Sequence, residues 1–470
     1  MSHLTLQKSS YPYSHHTNGS RRRMTVDAPS SPSSASRKLG DIESFFCWAN
    51  ARHGAFTFVS VLQCEGMLDL QRFSEAVSQI HHGWPMLSAM IVRTPSGAIT
   101  LERTEGSEPD LRVVQRRSDA DWKATAECLV NEPFPCRIVE DGSEVWSGLW
   151  SVTVLEGCGR QEILIRIHHS LCDGLNIGYL FHTLLSVYAA PEQSAEFLGT
   201  PGLGRTVERY LPPAARTLAT LSFFREEARN LFRTPRLARQ LGVAPTNNPQ
   251  RTSTCSTVLS KAETAALLQR SKAEGTTLHA AICASVLLVL LDRSPELRQV
   301  ALQTNIDLRR RYPLHIAPTQ LGVYVYWVLT WHCRQDGSFW DLARSYRDGM
   351  TRAIKSRGLP PWGFFPMARA FLGRQVVRSP LISTSEANVS NLGVLPIQQE
   401  YGRLRTTQFF AATSQNVLGS QICWMAGTLH GRLGLTCSTR SPLESEGNGE
   451  ILISEVRRHI AQSSKTSMSV

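Results

Sequence analysis

The sequence has no Cys-x-x-Cys pair, and its eleven cysteines in 470 residues are too sparse for the disulfide framework of a small secreted scaffold. They read as reduced side chains, most of them apolar core residues such as Cys283, which points to a reducing compartment and a cytoplasmic protein. No apolar run is long enough to cross a bilayer; the longest, 278–291, contains His279 and Ser285 and reads as a buried helix. No hydrophobic segment follows the first Met, so no secretory signal is expected. Gly-x-Ser-x-Gly is missing, which removes the nucleophile elbow of a Ser-His-Asp hydrolase. Zinc-finger spacing and RNA-binding aromatic signatures are missing too, which weighs against nucleic acid as a partner.

What is present is a globular composition, 42% apolar and 19% charged, with a net charge of +11. The basic residues are spread out, with clusters at 21–23, 216–239 and 309–311. That distribution fits a solvated surface plus an anionic small-molecule ligand, of which coenzyme A with its phosphates is an example. At this length two or three lobes are expected.

Residues 1–38, rich in Ser, Arg, Pro and His, read as a disordered tail. Order is expected from Leu39. Strand patterns at 58–64, 86–92, 149–155 and 163–169 alternate with helical spacing from Leu70 through Phe73, Val77 and Ile80, so 39–190 reads as an α/β lobe. Residues 191–255 hold seven prolines, among them Pro212, Pro213 and Pro245, and read as a linker. Its segment 218–241 mixes arginines with Phe223, Phe224 and Phe232; a crossover helix packed on the body is favoured over membrane-surface contact. From 256 to 470 strands and helices resume, with strands near 300–306, 323–331, 422–429 and 433–438 and a last amphipathic helix through Ile451, Val456 and Ile460.

The informative stretch is Ile163-Leu164-Ile165-Arg166-Ile167-His168-His169-Ser170-Leu171-Cys172-Asp173-Gly174. Period-two alternation puts Ile163, Ile165 and Ile167 on one apolar face with His169 next in that row, while Arg166 and His168 face the other way. Gly174 is expected to let the chain turn tightly before a helix marked by Ile177, Leu180, Phe181, Leu184 and Tyr188. An imidazole fixed at such a corner can accept a proton near neutrality, its ordinary pKa being about 6.5. Asp173 is placed to orient the loop. A satisfied core histidine is the bland alternative. A zinc site is disfavoured, because His168 and His169 face opposite ways and no third ligand is evident, so no metal is expected. Ser170, adjacent to the histidine, is badly placed to be its nucleophile.

His168-His169-Ser170-Leu171-Cys172-Asp173-Gly174 resembles the HHxxxDG motif of the acyltransferase superfamily that includes chloramphenicol acetyltransferase, plant BAHD enzymes, peptide-synthetase condensation domains, alcohol acetyltransferases and mycobacterial polyketide-associated acyltransferases. Arg37-Lys38-Leu39-Gly40-Asp41-Ile42-Glu43, Gly66-Met67-Leu68-Asp69, His82-Gly83-Trp84-Pro85-Met86-Leu87, Gly275-Thr276-Thr277-Leu278-His279-Ala280-Ala281, Asn305-Ile306-Asp307-Leu308-Arg309 and Ser390-Asn391-Leu392-Gly393 resemble further parts of that family, in order, over roughly 37–462. The plant Asp-Phe-Gly-Trp-Gly motif is missing; Asn391 and Gly393 stand in the corresponding place.

The resemblance implies an α/β pseudo-dimer of two chloramphenicol-acetyltransferase-like lobes, 39–190 and 256–470, with an active-site tunnel between them. It implies a monomer in which His169 is the general base, Asp173 is structural and paired with an arginine, here Arg309, and His168 packs. It implies transfer of an acyl group, acetyl above all, from acyl-CoA as co-substrate to a small-molecule alcohol or amine of specialised metabolism, without a resident cofactor. A carrier-protein thioester donor, a non-catalytic binding protein and a thioester hydrolase remain as alternatives.

Overall fold

The computed structural model describes residues 35–157, 159–193, 202–210, 251–293, 295, 299–309, 316–334, 337–357, 382–414, 418–441 and 448–465. Residues 1–34 and the basic segment 218–241 lie outside the described residues.

The first half comprises β1 Ser36–Lys38, α1 Asp41–His53, β2 Thr57–Glu65, α2 Leu70–Gly83, β3 Ala89–Arg93, β4 Ile99–Arg103, β5 Asp110–Gln115, α3 Asp121–Asn131, β6 Cys136–Ile138, β7 Glu144–Trp146, β8 Trp150–Gly157, β9 Arg160–His168 and α4 Gly174–Ala189. The second half carries β10 Arg251–Leu259, β11 Gln299–Asp307, β12 Val325–Cys333, β13 Ile382–Val394, β14 Glu400–Tyr401, β15 Leu404–Thr413, β16 Leu418–Leu429 and β17 Arg432–Ser441. Four further helices, Lys261–Ala273, Leu278–Arg293, Phe339–Arg357 and Asn448–Lys465, accompany those strands. Local chemistry explains several boundaries. The Asp69 carboxylate accepts the Arg72 amide at the start of α2, and Gly54 ends α1 in the left-handed conformation at φ 62°.

Each half builds a six-stranded sheet, in the orders β14-β15-β2-β9-β8-β5 and β10-β17-β16-β13-β11-β12. A smaller sheet, β1-β4-β3-β7-β6, flanks the first. In the first lobe α2 and α4 cover the face of the sheet that carries Phe58, Leu62, Ile163, Ile165 and Ile167. In the second, Leu267, Leu287, Leu291, Trp340, Tyr346 and Val456 from the four later helices pack on Ala387, Val389, Trp424 and Leu435. Among the described residues no single helix is long and apolar enough to cross a membrane.

Three boundaries differ from the sequence reading. β1 lies within the expected tail: Arg37 pairs with Leu101 of β4, and its guanidinium is held by Glu43. The second half begins at Arg251, inside the expected linker, because β10 pairs with β17 over its whole length. The larger correction concerns the lobes. β14 and β15 come from the C-terminal part of the chain but extend the N-terminal sheet, Phe409 opposite Leu62 and Ala411 opposite Ser60. Residues from 35 onward accordingly form one compact unit.

The crossing of β15 depends on glycine. Gly427 of β16 and Gly434 of β17 face each other across the pair, and Phe409 sits against both. A Cβ on Gly434 would overlap the Phe409 carbonyl oxygen, an atom of backbone that cannot swing aside. Gly434→Ala is expected to lower the unfolding free energy by about 1–3 kcal/mol, the usual range for overpacking, as read by equilibrium denaturation. No measurable loss would mean that β15 can lift off the glycine pair.

Candidate active site

β9 ends at His168, and the chain then turns through 169–173 before α4 begins. The turn is tied to its surroundings: the His169 amide donates to the Phe56 carbonyl (3.3 Å), and the Leu171 amide donates to that of His168 (2.9 Å). His169 stays on the side of Phe58 and Ile167, as the alternation requires. Its ring lies 4.4 Å from Phe46, 5.6 Å from Phe58 and 6.4 Å from Phe56, centroid to centroid. The side chain is half-buried. Phe56, also half-buried, is held at φ 60°, a left-handed conformation that an aromatic residue rarely adopts. Phe45 links this cluster to Trp327 of β12, 5.9 Å away, so elements of both halves meet beside the imidazole.

Burial lowers the pKa of His169 below the ordinary histidine value of 6.5, while its own carbonyl, the Asp173 charge and the Cys172 carbonyl oppose that shift. The ring is therefore neutral at pH 7 and able to accept a proton. Its Nδ1 is buried without a hydrogen-bond partner.

His168 points the other way. Its Nδ1 accepts the Ser170 amide (3.1 Å), its ring lies 5.1 Å from Phe134, and burial pushes its pKa down to about 3. Ser170 donates its hydroxyl to the Glu43 carbonyl (2.8 Å), which turns it away from His169.

Asp173 is the N-cap of α4, accepting the Asn176 amide at 3.2 Å. Its Oδ2 also accepts Nη1 of Arg309 (2.8 Å) and the backbone amide of Tyr324 (2.9 Å). Arg309 donates its Nη2 to Asn176 Oδ1 (3.1 Å), and Asn176 Nδ2 donates to the carbonyls of Pro318 and Gln320, each at 2.9 Å. Asp173 and Arg309 are both almost wholly buried, and the network fastens the loop after His169 to the second half of the chain.

Gly174 does not serve a tight turn. It is the first residue of α4 with no left-handed φ, and what it provides is space, because a Cβ there would collide with Leu392 Cδ2. Leu392 is delivered by the irregular end of β13, where Asn391 Oδ1 accepts the Gly393 amide (2.9 Å) and Gly393 takes φ 75°. Asn391 and Gly393 thus shape the loop that caps α4.

Sequence reasoning did not single out Phe46, Phe56, Phe58, Asn176, Tyr324 or the Arg37–Glu43 pair as parts of this site. Glu43, buried beneath Ser170, receives both Nη atoms of Arg37 at 2.7 and 2.8 Å. Among the described residues no three His, Cys, Asp or Glu side chains gather in a metal-holding group.

Comparison with known proteins gives two family matches. Residues 51–270 match the wax ester synthase/diacylglycerol acyltransferase catalytic domain, and residues 248–432 match the phthiocerol/phthiodiolone dimycocerosyl transferase C-terminus. The nonribosomal peptide synthetase dtpA of Aspergillus flavus is 25% identical over 173 residues, 37% of this chain, and that match spans only 6% of the synthetase. Polyketide synthase associated protein 5 from Mycobacterium tuberculosis superposes with TM-score 0.64 at 15% identity, covering 91% of this chain and 98% of its own. The TRI3 trichothecene 15-O-acetyltransferase from Fusarium sporotrichioides gives TM-score 0.64 at 12% identity, over 91% and 95% of the two chains. The first condensation domain of the CDA synthetase gives TM-score 0.64 at 16% identity, over 92% and 97%. These structural likenesses concern the fold: two sheet-rich lobes arranged as in the pseudo-dimers. With two acyltransferase profiles meeting at β10 and spanning 51–432 between them, the chain belongs to the acyltransferase superfamily of condensation domains and chloramphenicol acetyltransferase.

Proposed function

We propose that this chain transfers an acyl group, acetyl in the first instance, from a coenzyme A thioester to a hydroxyl of a small specialised-metabolite acceptor, with His169 as general base. The observation that carries this reading is the neutral, half-buried imidazole at the joint of the two halves, braced by Phe46 and Phe58. As the acceptor oxygen attacks the thioester carbonyl, its proton passes to a ring nitrogen of His169. Collapse of the tetrahedral intermediate forms the ester C–O bond, breaks the C–S bond and returns the proton to the departing thiolate. No covalent acyl-enzyme is required, consistent with Ser170 being committed to the Glu43 carbonyl. Asp173 and Arg309 hold the loop and touch neither reactant in this reading. A carrier-protein thioester is the second donor to test, favoured by the synthetase match and the condensation-domain neighbour.

Incubation with acyl-CoAs, with and without candidate alcohols and amines, separates the readings through free thiol. Acceptor-dependent release is expected. Release that ignores the acceptor would point to hydrolysis. Silence with every acyl-CoA, followed by turnover of acyl-pantetheinyl carrier protein, would replace the donor.

A further inference from the structure

One face of the second sheet is buried and yet polar. Ala387 and Val389 of β13, Ile422 and Trp424 of β16, and Leu435 and Cys437 of β17 pack into the helical core of that lobe. Strand alternation therefore turns Glu386 and Asn388, Cys423, and Ser438 and Arg440 to the opposite face. That face abuts the first half of the molecule: Thr413 of β15 donates to Cys423 Sγ (3.7 Å), which in turn reaches Asn388 Oδ1 (3.7 Å).

Arg440 is 1% exposed, Ser438 is fully buried and Glu386 is 4% exposed. Among the described residues, Nε and Nη2 of Arg440, Oγ of Ser438 and Oε1 of Glu386 have no hydrogen-bond partner. Burial alone pulls the Arg440 pKa down to about 10, with no neighbouring carboxylate opposing it, and burial pushes the Glu386 carboxyl up to about 7. Buried polar groups are ordinarily satisfied, and a buried cation without a counter-charge is costly.

The two free nitrogens of Arg440 are the two ends of one guanidinium edge. Their N–H bonds run parallel and match the two oxygens of a carboxylate. A dianionic phosphate would bring a second negative charge into a buried site that holds one cation. We infer that Arg440, with Ser438 two residues before it on the same face, is a binding site for the carboxylate of a small molecule lodged between β17 and the first half of the chain. The inference goes beyond acyl transfer and does not depend on His169 acting as base.

Thermal unfolding of the full chain with phenylacetate and hexanoate, against phenylacetamide and hexanamide, tests it. The carboxylates are expected to raise the midpoint by about 3 °C at saturating concentration, and the neutral amides to leave it unmoved. Arg440→Met is expected to abolish that shift while matching or exceeding the parent's own midpoint, since it removes an unpaired buried charge of similar volume. Arg440→Lys, which keeps the charge and loses the fork, is expected to weaken carboxylate binding by about tenfold. Equal shifts with acids and amides overturn the proposal, as does an Arg440→Met chain that keeps the carboxylate shift. A destabilised or unfolded Arg440→Met chain does the same, by showing that the cation has a structural partner. His169→Ala is expected to keep the carboxylate shift, so the loss of either reading leaves the other in place.

Discussion

His169→Ala is expected to lower kcat/KM for acyl transfer by about 10²–10⁴-fold, the range associated with removing a positioned general base, and to move the melting temperature by only a few degrees. The separation of the two effects follows from the side chain's situation. The imidazole is half-buried, rests on Phe46 and Phe58, and its Nδ1 has no hydrogen-bond partner to lose. Its backbone amide, which does anchor the turn to Phe56, is retained in the variant. The parent enzyme should show the matching pH signature. A base works only when neutral, and the folded pKa of His169 lies below 6.5, so activity is held through neutrality and is lost only as pH falls through that lowered value. A kcat/KM acid limb well above 6.5, or a His169→Ala chain within threefold of the parent, would remove the imidazole from the chemistry.

How much of this was legible follows from which forces are local. The row Ile163, Ile165, Ile167 places His169 at the end of a core-facing strand, and that reading needs nothing beyond alternation. The helix after Gly174 is equally visible in the spacing of Ile177, Leu180, Phe181 and Leu184. Pairing partners are not written in this way. β15, with Phe409, Phe410, Ala411 and Ala412, falls inside the expected second lobe and is not singled out as a strand, and nothing in those residues says that β2 is the neighbour. Gly174 reads as a turn because its actual role, admitting Leu392, involves a residue more than two hundred positions away. β17 misleads in a third manner. Leu433, Leu435 and Cys437 alternate with Gly434, Thr436, Ser438 and Arg440, the pattern of a strand with one wet face. Both faces are covered, since β15 and the first half close over the polar one, and Arg440 becomes a buried cation. The resemblance to the acyltransferases supplied what periodicity could not, an arginine to set opposite Asp173.

That pair carries the second large effect. Asp173→Asn or Arg309→Met is expected to reduce the unfolding free energy by about 3–5 kcal/mol, the loss typical of stranding one member of a buried ion pair. Asp173 Oδ2 binds two donors at once, Arg309 Nη1 and the Tyr324 amide, and Arg309 also holds Asn176 in α4. Removing the cation leaves a buried carboxylate with amide donors only. Removing the carboxylate charge leaves Arg309 facing Asp307, a more exposed partner at 3.4 Å. The two single losses should therefore not add, and a double-mutant cycle is expected to return a coupling of about 1–3 kcal/mol. Activity supplies a second readout. The Asp173 charge opposes the lowering of the His169 pKa, so in Asp173→Asn the acid limb of kcat/KM should move to still lower pH. Global destabilisation alone would reduce the amount of active protein without moving that limb. Stability and pH profile both unchanged in Asp173→Asn would mean that the loop behind the imidazole is held by its backbone contacts to Phe56 and His168, and that the ion pair between the halves is dispensable.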